Sequence, residues 1–135
     1  MAHFALSELN FWAILVAGII NMAIGATWYS TVLFGNKWMD YLGFKEEDIN
    51  PSPWLYVVVF ILGLLIAFVM ALFLQGSSGV VQGLAYGAVI GIGLVIPTMI
   101  THYLYEQRKG GFIFIVAGHE LVVFLAYGAL LAGWQ

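Results

Sequence analysis

Four long apolar runs, separated by short polar stretches, divide the chain at about residues 10–33, 54–74, 80–103 and 112–134. A hydrocarbon core ~30 Å thick takes about 20 helical residues, so each run predicts one transmembrane helix. Polar and apolar residues do not alternate within the runs, as they would in barrel strands. The pattern predicts an all-α membrane protein: residues 1–135 as a single four-transmembrane-helix bundle with antiparallel, up-down helices.

Polar residues at the run ends suggest where each helix starts. Ser7 is expected to cap the first helix, with Glu8 in its first turn. Ser52 followed by Pro53 reads as a cap and a first-turn proline opening the second. Gln75-Gly76-Ser77-Ser78-Gly79 and Arg108-Lys109-Gly110-Gly111 are tight turns that make antiparallel hairpins. The longest connection, about Phe34 to Asn50, contains Trp38 and Tyr41 and predicts a short amphipathic helix at the membrane interface. Met1 to Leu9 lacks a basic residue, so the first run is expected to be a retained span and not a cleaved leader.

Composition explains why lipid must surround these helices. The chain is 63% hydrophobic and 8% charged, with a mean hydropathy of +0.99. Soluble domains carry about 25% charged residues, and this chain has too few to cover a water-facing surface. A net charge of −3 with four basic residues argues against nucleic acid as a partner. The absence of cysteine removes disulfides, thiolate metal sites and dithiol redox chemistry. Lys37 and Lys45 lie between the first and second runs, Arg108 and Lys109 between the third and fourth. The positive-inside rule then predicts cytoplasmic loops 34–53 and 104–111, with both termini on the non-cytoplasmic side.

The element Gly25-Ala26-Thr27-Trp28-Tyr29-Ser30 is followed by Leu33-Phe34-Gly35-Asn36-Lys37-Trp38. Further along come Gly43-Phe44-Lys45-Glu46-Glu47-Asp48, His102-Tyr103-Leu104-Tyr105-Glu106-Gln107-Arg108 and Ala117-Gly118-His119. With these motifs, spread over most of its length, the chain resembles the domain of unknown function 1761 family of small bacterial membrane proteins. The resemblance implies a four-helix membrane protein and no particular activity. Together with the charge asymmetry it implies the bacterial inner membrane. Where a Gly-Tyr element would be expected, this chain reads Gly118-His119-Glu120-Leu121.

Gly79, Gly83, Gly87 and Gly91 recur at every fourth position of the third run and form a glycine-zipper stripe. Close backbone approach at small residues drives helix association in lipid. The stripe fits contact within the chain or with another subunit, and a homo-oligomer, dimer or higher, is expected. Gly25 lies on a similar face of the first run with Ala17, Asn21 and Trp28. Pro97 predicts a kink that frees the Gly93 carbonyl, with Thr98 and Thr101 near enough to help satisfy backbone groups there.

Polar groups at membrane depth are costly and so mark candidate sites. Counted from the nearer basic loop, His119 and Glu120 lie roughly 10–14 Å in, Asn21 roughly 16–18 Å, and Trp28, Tyr29 and Thr98 roughly 6–8 Å, with His102 nearer the interface. These seven residues are the candidates for a ligand site or ion pathway. Glu120 reads either as a proton- or cation-linked carboxyl or as an acid bonded to His, Asn or Tyr of another helix. His102 and Glu106 are expected to pair at the helix end near Arg108, and His3 is expected in solvent.

No catalytic residues, metal site or cofactor are expected: no His-x-x-x-His spacing, phosphate loop or nucleophile–base pair occurs. An enzyme is the weakest class. The leading expectation is a small oligomeric transporter or channel-like protein with a polar intramembrane site, whose ion or small-molecule ligand is unspecified. A non-catalytic module binding a lipid, hydrophobic ligand or partner protein is the alternative. A haem or cofactor carrier using His102 and His119 is a third reading. Small dimeric four-helix exporters also hold one buried acid, but in their first helix.

Overall fold

A computed structural model describes residues 4–48 and 50–135 and is helical throughout, with no strand among the described residues. His3 lies outside them. The helices are α1 (Phe11–Trp28), α2 (Gly35–Leu42), α3 (Pro53–Phe73), α4 (Gly79–Ile90), α5 (Ile96–Tyr105) and α6 (Gly110–Gly133). A π-helical turn, Gly91–Val95, joins α4 to α5, so the third span runs unbroken over Gly79–Tyr105. The four spans, of 18, 21, 27 and 24 residues, are long and apolar enough to cross a bilayer.

Local chemistry sets the ends. Ser7 does not cap α1; Leu6–Glu8 form a separate 3-10 turn, and Asn10 is the cap, its side-chain oxygen accepting from Ala13 N–H at 3.1 Å. Asn10 Nδ2 also donates to the Trp134 carbonyl at 3.2 Å, fastening α1 to the far end of α6. Ser52 precedes Pro53 at the start of α3, but its side chain makes no capping bond. Helix α1 is shorter than its apolar run, because after Trp28 the backbone folds back. Phe34 N–H donates to the Trp28 carbonyl at 3.0 Å and Gly35 N–H to the Ser30 carbonyl at 2.8 Å. The expected short helix then forms as α2, burying Gly35 and Met39 and exposing Asn36, Lys37 and Asp40.

Helix α6 is the centre of the packing, touching α1, α3 and α4. Its contact with α4 is the closest: a Cβ on Gly83 would collide with the Gly128 carbonyl, and one on Gly87 with the Phe124 carbonyl. The glycine stripe is thus occupied by α6 of the same chain. Gly79 takes no part, since its φ of +86° serves the turn and no atom lies within 4 Å of its Cβ position. Elsewhere apolar side chains face outward: Trp12, Val81 and Phe114 are 71%, 82% and 81% exposed. None of the described polar or charged residues is fully buried. A surface this apolar is stable against lipid, not water.

Candidate functional site

His119 and Glu120 stand near the middle of α6, about 14–15 Å along its axis from Gly110. His119 Nδ1 lies 3.4 Å from Glu120 Oε1, with the side chains 14% and 28% exposed. The imidazole turns its other nitrogen toward α1, where a Cβ on Gly25 would stand 3.6 Å from Nε2. That nitrogen is buried and has no hydrogen-bond partner. The small residue at Gly25 allows the approach.

Aromatic rings wall the imidazole. Tyr29 and Trp28 lie with ring centroids 5.2 and 6.3 Å from the imidazole. Trp28 Nε1 donates to the Ile115 carbonyl at 2.8 Å, and its ring covers Gly118, where a Cβ would come within 2.8 Å. Phe34 packs on Trp28 and Trp38 on Tyr29, each at 4.8 Å, so the end of α1, the fold-back and α2 brace one another. Tyr41 of α2 lies 6.4 Å from the Phe112 ring, joining this layer to the start of α6.

Four of the seven candidates thus converge: Trp28, Tyr29, His119 and Glu120. Asn21 sits two turns further into α1 than Trp28, against α3, where a Cβ on Gly63 would meet its Nδ2 at 2.7 Å. Thr98 and His102 do not join the cluster. Both line an open groove on the third span with Leu94, Val95, Met99 and Tyr103. Thr98 Oγ1 donates to the Leu94 carbonyl at 2.7 Å and Thr101 Oγ1 to the Pro97 carbonyl at 2.8 Å, leaving Gly93 to the π-helical turn. That wide turn rotates α5 relative to α4, so Tyr103 and not His102 meets α6, its ring 5.1 Å from Phe112. The expected His102–Glu106 pair is replaced by Arg108–Glu106 at 3.3 Å.

One tyrosine carries weight that the sequence reading missed. Tyr127, 1% exposed, donates its hydroxyl to the Gly63 carbonyl at 2.9 Å, the buried tie between α6 and α3. The clue for Tyr127 was its place two turns beyond Glu120 on α6, above the same inner face. Among the described residues no three His, Asp or Glu side chains gather as a metal set.

No curated protein and no solved structure matches the chain. The family described as "Protein of unknown function (DUF1761)" matches residues 12–132, nearly the whole length, and the chain with its four apolar helices belongs to that family.

Proposed function

We propose that this protein is the subunit of a small oligomeric transporter or channel-like protein whose working group is the Glu120 carboxyl with His119. One observation carries the reading. An ionisable pair kept at membrane depth for packing should bond to another helix. Among the described residues, Glu120 and His119 pair with each other and neither makes a hydrogen bond to another helix, His119 Nε2 being without a partner. The carboxyl keeps over a quarter of its surface open, the access that a proton or small cation would need.

The arrangement in the membrane follows the same proposal. Gly25 meets His119 while Asn10 meets Trp134, and Gly83 meets Gly128 while Gly91 meets Phe124. Both pairs support an up-down bundle. Lys37, Lys45, Arg108 and Lys109 then share one end, taken as cytoplasmic in a bacterial inner membrane, with both termini opposite. Beyond Glu120 the interior is closed by Phe124, Tyr127 and Leu131, each at most 4% exposed. A continuous path therefore needs a second copy of the chain.

Reconstituted vesicles holding a pH-sensitive dye test this. Wild-type protein is expected to pass protons down an imposed gradient, and Glu120→Gln to fall to the rate of empty vesicles while keeping its thermal midpoint in detergent. Wild-type vesicles no more permeable to protons, sodium or potassium than empty ones would remove the transport reading. A specific feature favours a second reading: the groove of about 510 Å³ beside Leu94, Met99 and His102 suits an acyl chain or other hydrophobic ligand.

A further inference from the structure

We infer that the third span is a hinged gate: α4 is fixed on α6, and α5 swings about the π-helical turn to open and close the approach to the His119–Glu120 pair. The inference rests on the reading of that pair as the working site.

The two halves of the span are held very differently. In α4, Gly83 and Gly87 lie against the α6 backbone at Gly128 and Phe124, where atoms cannot step aside. In α5 no residue is buried, and Tyr103 against Phe112 is its one aromatic contact with α6. A rigid half and a loose half in one continuous helix require a joint between them.

The joint has the features of one. Ile96 N–H donates to the Gly91 carbonyl, five residues back, which widens the turn by one residue. Such π-helical turns are rare and sit often at functional positions. Gly93 has open space around it, and Pro97 supplies no N–H to the ladder. Thr98 and Thr101 both bond back to carbonyls four residues earlier, a pattern that bends helices.

Position links the joint to the site. Gly91 packs on Phe124, with a Cβ there 3.2 Å from the Phe124 Cβ, so the wide turn starts one helical turn beyond Glu120. Helix α5 then runs past the level of Glu120 toward the Tyr29 end of the bundle, with an open groove along its flank. Tyr103 rides on it, its ring 5.1 Å from that of Phe112 on α6. A swing of α5 carries that ring away from α6, on which the carboxyl stands, without disturbing α4.

Because the chain has no cysteine, introduced pairs report cleanly on distance. Spin labels on Leu104→Cys with Phe114→Cys span α5 and α6, and on Val89→Cys with Val122→Cys span α4 and α6; all four positions are outward-facing. In full-length protein in lipid nanodiscs, the first pair is expected to give a broad or two-peaked distance distribution and the second a single narrow one. Deleting Gly93 restores an ordinary α-helical turn and should narrow the first pair to one peak. Equally narrow distributions for both pairs in the parent chain overturn the gate, and a broad first pair unaffected by the deletion overturns the joint. A narrow first pair with Glu120-dependent flux sinks the gate alone. A broad one without flux sinks transport alone.

Discussion

Tyr127 and His119 lie two turns apart on α6, and each brings a polar group into the bundle, but the two surroundings differ. Around Tyr127 the hydroxyl is spent on the Gly63 carbonyl, Asn21 fills the same spot, and the neighbours are closely packed. Around His119 the ring nitrogen facing Gly25 has no partner and the adjacent carboxyl is partly open. The first arrangement lowers the energy of the fold. The second leaves polar capacity unused in a medium where that is costly, and a site that must bind and release something needs such capacity.

Substitutions can break this contrast. The largest effect is expected at the α4–α6 contact, where Gly83→Val drives a side chain into the Gly128 carbonyl and should cost about 1–3 kcal/mol in a detergent unfolding titration. Asn10→Ala removes the α1 cap and the tie to Trp134 and should cost about 1 kcal/mol by the same measurement. Tyr127→Phe keeps the packing and loses one interhelical hydrogen bond, an expected loss of about 0.6 kcal/mol. Glu120→Gln should shift stability least, by less than about 0.5 kcal/mol, since no other helix bonds to it. If Glu120→Gln proves more damaging than Tyr127→Phe, the carboxyl is a structural contact and the contrast fails.

The four spans were legible because a bilayer demands long apolar runs, and nothing else in a chain of this size produces them. Gly83 and Gly87 were legible as a packing face for a related reason, though not which helix they would meet. The candidate site was legible in part. Trp28, Tyr29, His119 and Glu120 could be set at compatible depths because helical rise converts residue number into height, and these four do come together. Thr98 and His102 were misplaced because depth says nothing of rotation, and the wide turn at Gly91–Val95 added a residue that no apolar pattern announces. Pro97 signalled a disturbance without its form. Tyr127 passed unnoticed because a tyrosine within an apolar run reads as an interfacial anchor until a carbonyl such as that of Gly63 is found opposite.

One consequence follows from the central place of α6. It comes after the other three spans in the chain, yet α1, α3 and the α4 glycines all rest on it. During synthesis, the earlier spans enter the bilayer with Gly83 and Gly87 bare and Tyr29 and Trp28 lacking their imidazole neighbour. The hairpin of α1 and α3 can form early, but the polar centre exists only once the final segment has been inserted. A translocon or chaperone that holds the first three spans would therefore hold an intermediate in which the cluster around His119 has not yet formed.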